Sequence, residues 1–424
     1  MSFLTPAPAR FRTAALLLTG MVLGSFALAP HAAAEGPQDP WYMDTMRMEE
    51  VWEQARGEGV TVAVVDSGTD ASLPTLEGRV LEGTDLTYDP KGAHVDRDGH
   101  GTSMASLIAG SGAESGIPGL APGVEVLPVR VKNVERDFGQ AQRFAQAIEY
   151  AVDSDAKIVS ISMGVEELGI VPELDAALDL AARNDTLIFA AMGNTGDTDN
   201  SLSVPALHEG VVAVGAVDRS GEHVDYSTYG PQVALSAPGN EVPGQCPDGS
   251  FQPACIVEEG GTSSATALAS ASAALIWSAH PDWTKNQVLR AMLETADGPE
   301  GGRDDYVGYG MVRPDRVILD GEGEPGEPDV NPLFEEYEAS LDPPVSPAPV
   351  PEPETGPEGE DSGESGEAGS AGPEPSGGPD ESAENMADGD GGGSGPLVMA
   401  GVVGVVILGG VAAAVVVNRR RGTA

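Results

Sequence analysis

Basic residues are scarce in this chain of 424 residues, which has 22 Lys and Arg against 67 Asp and Glu. The formal net charge of -45 at pH 7 argues against binding to nucleic acid, because most of the surface would repel a phosphate backbone. Between Val317 and Val417 there is no Lys or Arg at all. The negative charge thus limits the kinds of partner that the protein can bind, but it does not indicate the fold.

Apolar segments near both ends predict export and membrane attachment. Residues 1–34 carry arginines before an apolar run and three alanines, as in a secretory signal peptide cleaved before Glu35. Residues 396–418 are long and apolar enough to span a hydrocarbon core of about 30 Å as a helix, and a basic tail follows at 419–424. The positive-inside rule keeps this tail cytoplasmic, so we predict a single-pass cell-membrane protein with its main domain extracellular. A buried core helix is the alternative for 396–418.

Cysteine occurs only twice, at Cys246 and Cys255, on either side of a segment containing Pro and Gly. In an exported protein such a close pair is expected to form a disulfide bond, worth roughly 2–3 kcal/mol for so short a loop. Two sulfurs without a nearby histidine argue against a metal site there. The sequence also shows no Asp- or Asn-rich loop with clear calcium-ligand spacing, so we assign no residue as a metal ligand and predict no cofactor.

Strand and helix patterns alternate in the middle of the chain, which favours a doubly wound α/β fold with a mostly parallel sheet and helices on both faces. The run that ends at Asp66 is almost entirely apolar, as expected for a strand buried on both faces. The other predicted strands are Val124–Val131, Lys157–Ser162, Thr186–Ala191, Val211–Val217 and Gln232–Leu235. Two predicted helices have His100 in the first turn and Ser263 at the N-terminus, and the others cover Ala141–Val152, Glu173–Ala182 and Lys285–Thr295.

A change of composition marks the end of the predicted domain. Residues 321–395 are mostly Pro, Gly, Glu, Asp, Ser and Ala, a composition that cannot bury enough apolar surface to offset the entropy of ordering. We therefore predict a disordered acidic linker at 321–395 and one globular α/β domain at 35–320, with 35–58 as its N-terminal extension.

Three side chains suited to nucleophilic catalysis lie at the ends of predicted elements. Asp66 ends a strand, where α/β sheets place their sites, whereas His100 and Ser263 each begin a helix of small residues. Helix N-termini favour negative charge, and a serine becomes nucleophilic only beside a base that a carboxylate orients. Taken singly, Asp66 could cap a turn, His100 could be structural and Ser263 could be an N-cap.

Three sequence blocks resemble those of the subtilisin-like serine proteases, the subtilases. The blocks are Val62–Gly68 (VAVVDSG), Asp98–Thr102 (DGHGT) and Gly261–Ser263 (GTS). Their order of acid, histidine and serine is the order that subtilisin itself has. The resemblance implies a subtilisin-like fold and a serine endopeptidase that hydrolyses peptide bonds through an acyl-enzyme, with proteins or peptides as substrates.

The resemblance also implies a role for each matching residue. Asp66 would orient His100, and His100 would act as general base and then general acid for the nucleophile Ser263. Asn194 matches the position whose side chain donates to the oxyanion hole, although an ordinary turn would also explain this residue. By the same resemblance, the backbone that pairs with the substrate would be Ser162, Met163 and Gly164.

The order of segments along the whole chain indicates which group of subtilases the protein resembles most. Residues 41–60 already resemble the mature N-terminus of the family, which leaves no room after residue 34 for an inhibitory prodomain. Ala267 stands where many subtilases have proline, a departure expected to change packing and not chemistry. With the cysteine pair, the acidic linker and the membrane helix, this arrangement resembles the mycosins, membrane-anchored subtilases of type VII secretion.

The mycosin resemblance implies an extracytoplasmic serine endopeptidase that serves a type VII secretion complex. Two alternatives stay open, a general cell-surface subtilase and a protein that mainly stabilises a secretion complex. Whether the protein binds calcium also stays open, because many subtilases bind this ion.

Overall fold

The structure of this chain is a computed structural model that describes residues 40–132, 139–166 and 171–341. Among these residues no helix combines the length and the apolarity needed to cross a membrane. The predictions that lie outside the described residues are the signal peptide at 1–34, the linker from residue 342 onward, the membrane helix at 396–418 and the basic tail at 419–424.

A parallel sheet of seven strands forms the centre of the domain. The strands are β1 (Thr61–Asp66), β2 (Thr84–Asp85), β3 (Glu125–Arg130), β4 (Ile158–Ile161), β5 (Leu187–Ala191), β6 (Val211–Val217) and β7 (Val233–Pro238). Their order across the sheet is β2-β3-β1-β4-β5-β6-β7. The order reverses at β1, so Asp66 ends its strand at the switch point where such sheets hold their sites. The predicted α/β class and the mostly parallel sheet are confirmed.

Helices cover both faces of the sheet. They are α1 (Trp41–Thr45), α2 (Met48–Val51), α3 (His100–Ala109), α4 (Gln140–Asp153), α5 (Pro172–Arg183), α6 (Gly261–Ala279), α7 (Lys285–Thr295), α8 (Pro314–Ile318) and α9 (Glu335–Leu341). Side chains alternate along β1, so Val62 and Val64 pack in one core with α3 and α6. Ala63 and Val65 pack in the other core, with α4 and α5.

Helix α6 is long, buried and rich in small polar residues. It has 19 residues, and nearly all of them from Gly261 to Trp277 are buried. The hydroxyls of Thr266, Ser270 and Ser272 each donate to the carbonyl four residues earlier at 2.8 Å. Because these donors are satisfied inside the helix, they can lie in the core without the cost of an unpaired polar group.

A separate antiparallel hairpin lies between β7 and α6. Its strands are β8 (Asn240–Gly244) and β9 (Cys255–Glu259). A disulfide bond joins Cys246 to Cys255 and closes the loop between the strands. The hairpin leads directly into the first turn of α6.

The packed domain extends beyond residue 320, where the sequence predicted its end. Helix α9 packs on α5, where the Tyr337 hydroxyl donates to Asp179 Oδ1 at 2.8 Å. The ammonium group of the buried Lys285 pairs with Glu338, which also accepts from Asn331 Nδ2 at 2.7 Å. Residues 321–341 therefore belong to the folded domain, because a buried cation holds their acidic end in place.

Helix α9 lies at the amino ends of the central strands. Tyr337 of this helix contacts Gly210, the residue directly before β6. Glu338 lines a small cavity with Thr186 and Leu187, at the start of β5. The last described residues are thus at the edge of the sheet opposite to the carboxyl end of β1.

Candidate active site

Asp66 and His100 meet at the carboxyl end of β1. Nδ1 of His100, the first residue of α3, lies 2.8 Å from Oδ1 and 2.9 Å from Oδ2 of Asp66. The Asp66 side chain is 1% exposed, whereas that of His100 is 30% exposed. With Nδ1–H donating to the buried carboxylate, the other ring nitrogen, Nε2, is left for a second partner.

The surroundings of His100 raise its pKa. Burial alone lowers the pKa of the imidazole, but the negative charge of Asp66 and its hydrogen bond outweigh that effect. Lys132 adds a smaller lowering, and Asp98 a smaller raising. The imidazolium form is therefore favoured, and the ring becomes neutral only at a higher pH than an ordinary histidine requires.

The start of α3 approaches β1 so closely that only glycine fits beside the histidine. A Cβ atom added to Gly101 would lie 2.2 Å from the carbonyl oxygen of Gly68 and 3.0 Å from Cβ of Asp66. The first contact is far too short for a side chain, and the second would force Asp66 to shift. The glycine after His100 therefore permits the approach that places the imidazole on the Asp66 carboxylate.

The Asp96 carboxylate connects the end of β1 to the start of α3. Its Oδ1 accepts hydrogen bonds from Ser67 Oγ at 3.0 Å and from the N–H groups of Asp98 and Gly99 at 3.0 and 2.8 Å. Ser67 Oγ in turn accepts from the N–H of Gly101 at 2.9 Å. These bonds fix the two segments that carry the acid and the histidine.

The second oxygen of Asp96 binds the first turn of α3. Oδ2 accepts from the N–H and the hydroxyl of Thr102 at 2.9 and 2.6 Å. Sequence reasoning missed Asp96, although an aspartate four residues before His100 in the pattern Asp-x-x-x-His-Gly-Thr was the signal that could have found it.

Ser263 is the third residue of α6 and is half-buried. Its hydroxyl donates to the carbonyl of Ser162 at 2.8 Å, and the Ser162 hydroxyl donates back to the carbonyl of Ser263 at 2.9 Å. In the described part of the chain no hydrogen bond joins Ser263 Oγ to the His100 ring. The structure thus places Ser263 against the segment predicted to bind substrate, with its hydroxyl turned to Ser162.

Two N–H donors without acceptors lie at the first turn of α6. Oδ1 of Asn194 accepts from the N–H and the hydroxyl of Thr262 at 2.9 and 3.0 Å, which fixes the orientation of the amide. Nδ2 of Asn194 and the backbone N–H of Ser263 have no acceptor among the described residues. A Cβ added to Gly261 would be 2.8 Å from that Nδ2, so the amide lies against the helix start. Such a pair of donors suits a developing oxyanion.

The predicted substrate segment continues β4 beyond the sheet. Ser162 is buried, Met163 is half-buried and Gly164 is exposed. Directly after them, Val165 and Val204 exchange two backbone hydrogen bonds of 3.1 and 3.0 Å. The segment is thus held at one end by β4 and at the other by the pairing of Val165 with Val204.

A cavity of about 250 Å³ opens beside His100, between α3 and the hairpin β8–β9. The residues that line it include His100, Ser103 and Met104 on α3, Val242, Gly244, Val257 and Glu259 on the hairpin, and Ser264 on α6. Sequence reasoning did not predict this cavity.

The Subtilase family, peptidase S8, matches residues 57–310 of this chain. The intracellular serine protease of Paenibacillus polymyxa is 35% identical over 243 residues, which are 56% of this chain and 72% of that protein.

Solved structures show the same fold. The MycP3 protease from the type VII (ESX-3) secretion system, a mycosin, has a TM-score of 0.58 and 29% identity, over 66% of this chain and 88% of that chain. A chain of the periplasmic assembly from the ESX-5 inner membrane complex has a TM-score of 0.58 and 27% identity, over 70% and 88%. Because the family match covers more than half of the chain, this protein belongs to the subtilase family of serine endopeptidases.

Proposed function

We propose that this protein is a membrane-anchored extracytoplasmic subtilase of type VII secretion, whose catalytic triad is Asp66, His100 and Ser263. The observation that carries the triad is the contact of 2.8 Å between the buried Asp66 carboxylate and Nδ1 of His100, at the switch point of the sheet. This contact fixes the tautomer in which Nε2 can accept a proton.

The first half of the reaction acylates the serine. The Ser263 hydroxyl turns from the Ser162 carbonyl to His100 Nε2, which takes its proton as the oxygen attacks the substrate carbonyl carbon. Asn194 Nδ2 and the Ser263 N–H stabilise the oxyanion. The tetrahedral intermediate then breaks its C–N bond, and His100 gives the proton to the leaving amine.

The second half of the reaction releases the acyl group. Water gives a proton to His100 and attacks the ester carbonyl of the acylated Ser263, through a second oxyanion at the same donors. Breaking of the ester C–O bond returns the proton to Ser263 and frees the carboxylic acid product. In both halves the substrate lies along Ser162, Met163 and Gly164 as an added strand.

Two observations support the membrane and secretion parts of the proposal. The sequence has a signal peptide pattern at 1–34 and an apolar segment with a basic tail at 396–424. The similar solved structures include a MycP3 protease of a type VII secretion system and a chain of an inner membrane complex. An enzyme held at the membrane has a high effective concentration toward targets there.

A structural role is the second candidate function. It is favoured by the similar chain that is part of a periplasmic assembly. In that case the domain would stabilise a secretion complex and hydrolysis would be dispensable.

Complementation of cells that lack the gene tests the proposal. We expect the full chain to restore secretion, and neither Ser263→Ala nor a secreted fragment ending after residue 341 to do so. Restoration by Ser263→Ala would support the structural role, and restoration by the fragment would support a free cell-surface subtilase.

Purified variants test the triad directly. The fragment ending after residue 341 should hydrolyse a model peptide, whereas its Ser263→Ala form should neither hydrolyse it nor react with a serine-directed phosphonate. Asn194→Ala should still react with the phosphonate but should hydrolyse the peptide more slowly. We expect its kcat to fall by roughly 10²–10³, which is the loss known for the corresponding asparagine of subtilisin. Hydrolysis at the normal rate by Ser263→Ala would disprove the triad.

A further inference from the structure

We propose that the cavity beside His100 binds a Lys or Arg side chain of the substrate, at the first or second position after the scissile bond, and that Glu259 selects this side chain. The inference rests on the proposed triad, because His100 and Ser263 define which part of the substrate lies on each side of the site.

The position of the cavity assigns it to the leaving-group side. It is lined by His100 and by Ser264, next to the proposed nucleophile, and by none of the residues Ser162, Met163 and Gly164 that would hold the acyl side. His100 must deliver a proton to the leaving amine, so the amine lies beside its ring. The cavity therefore receives the side chain of the first or second residue after the scissile bond.

The walls of the cavity suit a long aliphatic stem. Met104 and Val242 are buried at 4% and 1% exposure, and Val257 is half-buried opposite Val242 in the hairpin. A volume of about 250 Å³ accommodates an extended side chain and leaves its tip near the mouth. Lys and Arg place an apolar stem along such walls while their charged ends remain partly hydrated.

The charge of the cavity selects a cation. Asp98 and Glu259 are the acidic residues of its lining. Asp98 is already paired, since its Oδ2 lies 2.9 Å from Nζ of Lys132. Glu259 forms no ion pair with any residue that the structure describes, and it is exposed. One uncompensated negative charge thus remains at the mouth, available to the substrate.

The hairpin fixes which acidic side chain faces the cavity. Val242 pairs with Val257 and Asn240 with Glu259, so Val257 and Glu259 share the cavity face of β9. Glu258 lies between them and projects from the other face. The disulfide bond between Cys246 and Cys255 ties the two strands together. Glu258 is therefore a matched control, with the same charge on the same strand and no access to the cavity.

Peptide hydrolysis tests the proposal with the fragment ending after residue 341. Internally quenched peptides of one sequence carry Lys, norleucine or Glu at the first or the second position after the scissile bond, which mass spectrometry locates. We expect kcat/KM for Lys to exceed that for norleucine roughly two- to fivefold at one of these positions, as for a partly exposed ion pair, and Glu to fall below norleucine. Added salt should reduce the Lys preference.

Two variants identify the side chain responsible. Glu259→Gln should bring the ratio of Lys to norleucine close to one, whereas Glu258→Gln should keep the wild-type ratio. Equal rates for the three peptides in the wild-type protein would overturn the proposal, as would a Lys preference that persists in Glu259→Gln. Hydrolysis of every peptide by Ser263→Ala would instead overturn the triad, so the two failures are distinguishable.

Discussion

At the scale of single residues, the ionisation of His100 decides when the site can work. The general base proposed here, His100, must be neutral to act, and Asp66 raises its pKa above the ordinary value of 6.5 despite the opposing effect of burial. Activity is therefore lost as the pH falls through this raised pKa, and not through 6.5. We expect the acid limb of the pH profile of kcat/KM to have its midpoint above 6.5.

The same shift makes a second measurement possible. NMR titration of the His100 ring should give the same midpoint, and Asp66→Asn should move it to lower pH because the favourable charge is gone. In terms of stability, the ion pair contributes fully below the unfolded pKa of about 6.5 and is lost as the pH rises through the folded pKa. A His100 midpoint below 6.5 in the wild-type protein would contradict this account.

The sequence predicted most residues of the candidate site, but it did not predict Asp96, whose hydrogen bonds position them. Asp66, His100, Asn194 and Ser263 lie at element ends in recognisable blocks, and their roles remain proposals. Asp96 was not predicted, because an exposed-looking aspartate in a polar loop has no periodicity that would distinguish it from its neighbours. Its role depends on contacts with Ser67 and Thr102 that only the folded chain brings together.

At the scale of elements, the buried strands were predictable because their sequences admit few other structures. Val62 to Val65 are apolar and β-branched or small, and they pack on both faces of the sheet. The hairpin β8–β9 was not predicted, since Glu241, Glu258 and Glu259 give it the composition of a loop. Its two cysteines predicted the disulfide bond, but they did not predict the two strands that the bond joins.

The disulfide bond should determine the stability of this hairpin. Cys246 and Cys255 are nine residues apart, so replacing both with serine should cost roughly 2–3 kcal/mol of the free energy of unfolding of the hairpin region. Chemical denaturation of the double variant and hydrogen exchange of β8 and β9 measure the effect. A reducing agent should destabilise the wild-type protein by a similar amount and leave the double variant unchanged. Free thiols at both positions in untreated protein would contradict the prediction.

At the scale of the whole molecule, acidic composition concealed where the domain ends. Residues 321–341 contain few apolar side chains, and composition alone therefore predicted disorder for them. These residues are instead part of the folded domain, because the buried ammonium group of Lys285 is paired with Glu338. A pairing between residues so far apart in sequence leaves no mark in local composition.

Truncation tests the importance of this end of the domain. Ending the chain after residue 341 should preserve stability, whereas ending it after residue 320 removes the ion pair of Glu338 with Lys285 and the hydrogen bond of Tyr337 to Asp179, and should cost about 1.5–3 kcal/mol of the free energy of unfolding. Glu338→Gln should reproduce part of that loss, and Glu336→Gln, at an exposed position of the same helix, should not. Equal unfolding midpoints in denaturant for the two truncations would show that α9 contributes nothing.

The position of α9 gives the molecule a polarity. Its contact with Gly210 places it at the amino ends of the strands, whereas Asp66 and His100 lie at their carboxyl ends. The described chain therefore ends at the amino edge of the sheet, whereas the candidate site lies at the carboxyl edge. Because α9 lies at the opposite edge of the sheet, a folded partner can offer a loop to Asp66 and His100 without meeting this last described helix.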